Sequence, residues 1–127
     1  MHEGGTILVI DDNEELLRAY RLLLEHAGYR VLAAKSGKDG LAMFRGNYEA
    51  IDLVIVDWIM PDTKGDELVE ALLAIAPNLK VIFASAYELD EATYTWAQSR
   101  VTAVVKKPFE PEWLLETVRK ALGRNDL

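Results

Sequence analysis

Five polar residues stand just past the ends of four apolar runs of strand length. Asp11 and Asp12 follow residues 6–10, Asp57 follows 51–56, Ser85 follows 80–84 and Lys107 comes shortly after 101–105. In an open parallel α/β sheet, ligands bind in the crevice outside the carboxyl ends of the strands. Strands lying side by side would bring three carboxylates, a hydroxyl and an ammonium to one place. Such a set suits a hard divalent cation and a phosphoryl group.

Three neighbouring carboxylates repel one another and raise each other's pKa unless a cation sits among them. Mg²⁺ matches them best, because it takes one or two carboxylates plus phosphate oxygens and keeps several waters. Zinc matches poorly: the chain has no cysteine, and its histidines, His2 and His26, lie away from the cluster in sequence. With Mg²⁺ bound, one carboxylate can attack phosphorus and form an aspartyl phosphate. Phosphoryl transfer needs mainly positioning and neutralisation of the equatorial oxygens. Lys107 can neutralise one side, and Ser85 can donate a hydrogen bond to a third oxygen. Each residue alone has a plainer reading. Asp11-Asp12-Asn13-Glu14 can be a helix cap and first turn, Asp57 a turn residue, Ser85 a strand-end hydroxyl and Lys107 a solvated charge. None of these explains why all the polar punctuation falls at the same end of the runs.

The runs alternate with segments of helical period, which predicts a doubly wound parallel sheet. Leu16, Leu17, Tyr20, Leu23, Leu24 and Ala27 mark an amphipathic first helix, with Gly28 placed to end it in a left-handed cap. A second strand is expected over residues 30–34, and Ser36 can cap a short helix carrying Leu41, Met43 and Phe44. The third strand, 51–56, is nearly all β-branched or leucine, as a strand covered on both faces should be. Residues 66–76 read as a helix stopped by Pro77. A polar helix is expected from about 88 to 100, although Thr93, Tyr94, Thr95 and Trp96 are mediocre helix formers. Glu110-Pro111-Glu112 opens the last helix, Leu114, Leu115, Val118, Ala121 and Leu122 give its buried face, and Gly123 ends it. Five strands and five helices use the whole chain, without repeat or linker.

Composition narrows the function classes. The chain has 127 residues, about half of them hydrophobic, enough for one domain with a proper core. Its 14 basic against 21 acidic residues give a formal charge of -7, which argues against direct binding of nucleic acid. The lack of cysteine excludes disulfides and thiolate chemistry. No apolar run approaches the length of a membrane span, and Met1-His2-Glu3-Gly4-Gly5 lacks the regions of a signal peptide. A soluble, cytoplasmic protein is expected, with no insertion into a membrane.

Four fragments now carry a resemblance. Val9-Ile10-Asp11-Asp12, Val56-Asp57-Trp58-Ile59-Met60-Pro61 with Gly65, Ala84-Ser85-Ala86, and Lys107-Pro108-Phe109 follow one another at strand ends, in the order and spacing of the receiver domain of two-component response regulators. The chain resembles that family from Ile7 to Leu122, and Asp57-Trp58 followed by Met60-Pro61 is similar to its chemotaxis members. The resemblance implies a flavodoxin-like sheet in the order 2-1-3-4-5 and a single receiver domain over residues 1–127, its core about 6–123. It implies that Asp57 accepts a phosphoryl group from a phosphohistidine on a sensor histidine kinase or histidine phosphotransfer protein. Asp11 and Asp12 would hold Mg²⁺, with Asp57 and the carbonyl of Ile59 completing the protein ligands. Lys107 would pair with the phosphoryl oxygens, and the Lys107-Pro108 peptide would be cis. Ser85 would swing toward the phosphoryl group and draw in the loop before the fourth helix. The fourth helix, fifth strand and fifth helix would then form the surface read by a downstream effector or output domain, a local electrostatic event biasing a two-state element. A homodimer is compatible with the family. The domain would catalyse its own phosphorylation and dephosphorylation, acting as a switch rather than a turnover enzyme.

The sequence also departs from the family pattern. An aromatic residue usually stands three positions before the lysine and turns inward; here that position is Val104, so such a role passes to Tyr87 or Tyr94 or is missing. Arg100-Val101 replaces the usual small pair before the fifth strand, and Lys106 replaces an apolar residue. Ile59 and Tyr87, at the two variable positions beside the site, are bulky and are expected to exclude attacking water. Trp113, early in the last helix, is a candidate contact on the output face. Three other functions fit the residues less well. A receiver-like interaction module working without phosphorylation would be expected to lose an acid or Lys107, and none is lost. A phosphatase with an aspartate nucleophile would carry an acid where Ile59 stands. A nucleotide-binding fold would need a glycine-rich first turn, and this one is Asp-Asp-Asn-Glu. The chain closes shortly after Gly123, so no output domain is expected within it.

Overall fold

Strand and helix alternate without exception through residues 4–123, the span that a computed structural model describes. The elements are β1 (Thr6–Ile10), α1 (Glu14–His26), β2 (Arg30–Ala34), α2 (Gly37–Asn47), β3 (Leu53–Asp57), α3 (Gly65–Ile75), β4 (Lys80–Ser85), α4 (Glu91–Arg100), β5 (Ala103–Lys106) and α5 (Pro111–Ala121). The strands form one parallel sheet, as the alternating pattern predicts, in the order β2-β1-β3-β4-β5 that the resemblance implies.

Side chains alternate between the faces of a strand, so each apolar strand feeds two cores. Ile7 and Val9 join Leu17, Tyr20, Leu24, Leu114 and Val118 beneath α1 and α5. Leu8 and Ile10 point the other way, into Phe44, Leu68, Val69 and Leu72 of α2 and α3. Register carries this across the sheet: Ile7 lies opposite Val31 and Leu53, and Val56 lies opposite Ile10 and Phe83. Because every buried strand residue has a role on one face, a slip of one residue would exchange the cores, and the strand ends are fixed accordingly.

Helix ends follow local chemistry. Asn13 accepts the Leu16 N–H at 3.1 Å, Ser36 that of Asp39 at 3.0 Å and Asp90 that of Thr93 at 2.7 Å. Gly28 and Gly123 take positive φ, 101° and 71°, in the left-handed terminations expected after α1 and α5.

Several boundaries move. β3 starts at Leu53 rather than residue 51, because Asp52 pairs with Thr6 instead of extending the ladder: its N–H donates to the Thr6 carbonyl and its carboxylate accepts the Thr6 N–H at 2.8 Å. β3 then runs through Asp57 and β4 through Ser85, so both residues are the last rungs of their strands rather than the first loop residues. β5 begins at Ala103, since the Thr102 hydroxyl takes the Val81 N–H at 3.1 Å. α4 begins at Glu91 rather than near 88, because Asp90 is a better cap than anything before it.

Candidate functional site

Asp11 and Asp57 hang from the ends of β1 and β3, neighbouring strands at the point where the order of the sheet reverses. Backbone pairing continues past these ends: the Asp11 N–H bonds to the Ala34 carbonyl, the Trp58 N–H to that of Ala84 and the Lys107 N–H to that of Ser85. The side chains that follow are therefore set by the ladder rather than by free loops. Lys107 reaches back across the strand ends and bridges both acids, its Nζ 2.7 Å from Asp11 Oδ2 and 2.8 Å from Asp57 Oδ1. The peptide between Lys107 and Pro108 is cis, as the resemblance implies. Asp11 and Asp57 are 2 % and 8 % exposed, whereas Asp12 is open to solvent.

Carboxylate oxygens of Asp11, Asp12 and Asp57 all lie within 4.8 Å of one another. Asp11 is held twice, since its Oδ1 accepts the Asn13 N–H at 2.9 Å while Oδ2 accepts from Lys107. Asp57 accepts only through Oδ1 among the described residues, which leaves Oδ2 for an incoming electrophile. The acids and Lys107 open onto a cleft of about 320 Å³, also lined by Asn13, Trp58, Ile59, Ser85, Ala86 and Tyr87.

The electrostatics are poised rather than relaxed. Burial raises the pKa of Asp57, and the charges of Asp11 and Asp12 push the same way, against the Lys107 hydrogen bond and charge. Burial alone would lower the pKa of Lys107; its hydrogen bonds to Asp11 and Asp57 and their charges outweigh this and hold it above the ordinary value. Below the site, burial pushes the Tyr20 hydroxyl far up, with Asp11 and Asp57 adding to the effect. The site thus sits on a dry floor, with excess negative charge at its mouth.

Mg²⁺ fits this donor set: hard oxygen ligands, a net negative charge and no nitrogen or sulfur. A separation of up to 4.8 Å is slightly wider than the roughly 4.2 Å between opposite ligands of an octahedral Mg²⁺, so one acid would act through water or after a small approach.

A model of the response regulator receiver domain matches residues 7–119. The chain belongs to that family. This receiver domain is 34 % identical over 124 residues to the uncharacterised transcriptional regulatory protein YkoG of Bacillus subtilis, covering 97 % of the chain and 53 % of YkoG. It is 31 % identical to the transcriptional regulatory protein GlrR of Escherichia coli K12, covering 98 % of the chain and 28 % of GlrR. The receiver domain thus spans about half or less of these longer relatives. A response regulator receiver domain protein from Clostridium thermocellum superposes with a TM-score of 0.88 at 29 % identity, over 94 % of each chain. Receiver domains of response regulators work in two-component signalling, with histidine kinases and output domains as partners.

The five residues singled out in the sequence converge on one cleft in this receiver domain, with Ser85 turned away from the acids. The Ser85 hydroxyl is buried and turned onto its own loop, donating to the Tyr87 carbonyl at 2.7 Å and accepting the Tyr87 N–H at 3.1 Å. Ile59 and Tyr87 both line the cleft but are 56 % and 65 % exposed. Two of the plainer readings also hold: Asn13 caps α1 and Glu14 lies in its first turn, with neither Asp11 nor Asp12 as the cap, and Ser85 is the hydroxyl at the end of β4. Two contributors were not singled out. Asn13 clamps Asp11 through its backbone, a role whose only sequence signal is its place two residues on. Asp62 accepts the N–H groups of Gly37 and Lys38 at 3.0 and 2.9 Å, tying the loop after Asp57 to α2; a loop acid facing a helix start has no local signature. Trp113 is 44 % exposed, in keeping with a contact residue, and His2 lies outside the described residues.

Proposed function

We propose that this receiver domain is a phosphorylation-dependent switch in which Asp57 accepts the phosphoryl group of a phosphohistidine on a kinase or phosphotransfer protein. Asp57 Oδ2 attacks phosphorus, the N–P bond breaks, and the leaving imidazole takes a proton, giving an acyl phosphate. The observation that carries this reading is the Lys107 ammonium shared between Asp11 and Asp57 at the open end of the sheet. A cation already placed against the acceptor oxygen can follow the charge onto the phosphoryl oxygens. Asp11, Asp12, Asp57 and the carbonyl of Ile59 are the residues that would hold Mg²⁺. When bound, the ion would supply neutralisation of phosphoryl charge in addition to that of Lys107.

Once the acceptor is phosphorylated, Ser85 gives up its bonds to Tyr87 and turns its hydroxyl to a phosphoryl oxygen, which draws in the loop ahead of α4. The surface of α4, β5 and α5, with Tyr94 and Trp113 exposed on it, is what a downstream effector or an output domain reads. The partner carrying the phosphohistidine meets the domain beside the site. There Leu16, Ala19 and Leu23 of α1 face Pro108, Phe109 and Pro111 across an apolar groove of about 510 Å³ that shares Ala86 and Lys107 with the cleft. In a longer protein of the YkoG or GlrR kind, the switched partner would be an output domain controlling transcription. Incubation with Mg²⁺ and acetyl phosphate tests the reading: a phosphoryl adduct must form and must depend on Asp57.

A further inference from the structure

Among the described residues, α4 is the helix with no extensive backbone approach to any single other element. Only Ala97 of its ten residues is fully buried, and Thr93, Tyr94, Thr95 and Trp96 are poor helix formers. Side chains therefore hold it. The Trp96 Nε1–H donates to Glu70 Oε2 at 2.8 Å, and Arg100 grips the same carboxylate with two bonds of 2.9 and 2.7 Å. Glu70 lies on α3, so one carboxylate clasps the two helices together.

The ring of Trp96 also continues inward. It meets Phe83 edge-on, with centroids 5.5 Å apart, and Phe83 meets Trp58 at 5.3 Å. Phe83 is fully buried on β4, and Trp58 is the residue next to Asp57. Space around this stack is minimal: a Cβ on Gly65 would lie 2.9 Å from both the Phe83 ring and the Trp58 backbone. A displaced ring in such packing must push its neighbour, because close-packed interiors transmit strain. On the far side, the small Val104 helps leave a groove of about 200 Å³, bordered by Tyr87, Leu89, Tyr94 and Lys106, into which the start of α4 can settle.

We propose that Trp96 couples the state of the Asp57 site to the position of α4, through the contacts Trp58–Phe83–Trp96 and the clasp that Glu70 closes on Trp96 and Arg100. A change at Asp57 moves Trp58, Phe83 passes the displacement on, and the otherwise lightly held α4 shifts with Trp96. This rests on the proposed switch for its physiological trigger but not for its physical content. Trp96 is a positioning residue in this scheme and touches no reacting atom.

Fluorotryptophan labelling of the intact chain gives one fluorine signal for each of its three tryptophans, assigned by single Trp→Phe variants. Substituting Asp57→Asn alters the site without any phosphorylation. The Trp58 and Trp96 signals should both shift, that of Trp113 should stay, and Phe83→Leu should remove at least most of the Trp96 response while sparing that of Trp58. Glu70→Ala, at an exposed position, should also reduce the Trp96 response severalfold. A Trp96 signal that ignores Asp57→Asn, or responds equally with Phe83→Leu and Glu70→Ala, overturns the proposal. The same spectra after acetyl phosphate and Mg²⁺, with the adduct checked by intact mass, supply the second arm. A missing adduct would defeat the switch and leave the coupling decided by the first arm.

Discussion

At Asp57 the residue scale decides both the chemistry and its cost. Burial and the neighbouring acids raise its folded-state pKa, so the folded protein binds that proton more tightly than the unfolded chain does. The ionised carboxylate therefore lowers stability. The penalty is negligible below the ordinary aspartate range, grows as pH rises from that range through the raised folded value, and is complete above it. In metal-free buffer at neutral pH, Asp57→Asn should accordingly be more stable than the wild type, with the gap closing in acid; denaturant midpoints measured across pH check this, and a destabilised variant would contradict it. Ile59 and Tyr87 line the cleft, where their bulk would shield the proposed acyl phosphate from water. Ile59→Asn with Tyr87→Ala should shorten its half-life severalfold, read by loss of the adduct over time, and an unchanged half-life would refute the shielding role. Asp11, Asp12, Asp57 and Lys107 were legible in the sequence because each stands beside an apolar run of strand length. The posture of Ser85 was not, since a hydroxyl bonded to the residue two positions on leaves no trace in the pattern.

Elements were read most accurately where burial is periodic and least where a side chain replaces a backbone bond. β1, β2 and the glycine terminations of α1 and α5 fall where apolar spacing and left-handed caps put them. β3 and β5 start late because Asp52 and Thr102 substitute for ladder bonds, a tertiary event that no local pattern displays. α4, whose polar sequence gave the weakest periodicity, depends on its cap. Asp90→Ala should weaken the start of the helix, seen as severalfold faster amide exchange in the first turn of α4; unaltered exchange would show that the cap is dispensable. At the start of α3, Gly65 permits the approach to Trp58 that closes the loop after Asp57, its N–H bonding to the Trp58 carbonyl. Gly65→Ala should lower stability by about 1–3 kcal/mol in chemical denaturation, whereas an unchanged midpoint would mean the loop yields freely.

For the whole molecule, topology turns scattered residues into a site. Asp11 and Lys107 are 96 positions apart and meet only because β1 and β3 are adjacent and the chain after β5 folds back over the strand ends. That convergence is legible in the four apolar runs, since a parallel sheet puts all carboxyl ends on one side. The aromatic stack from Trp58 to Trp96 was not, because it depends on which faces of β4 and α4 meet. The proposed metal would link site and stability: a cation that binds only the folded acids stabilises the fold by about 1.4 kcal/mol at ten times its Kd. Mg²⁺ should therefore raise the melting temperature of the wild type but not of a variant carrying Asp11→Asn and Asp12→Asn. The most direct measurement is intact mass after incubation with Mg²⁺ and acetyl phosphate. One phosphoryl group should add to the wild type, very little without Mg²⁺, and none to Asp57→Ala; no adduct on the wild type, or an equal one on Asp57→Ala, would contradict the assignment of Asp57 as the acceptor.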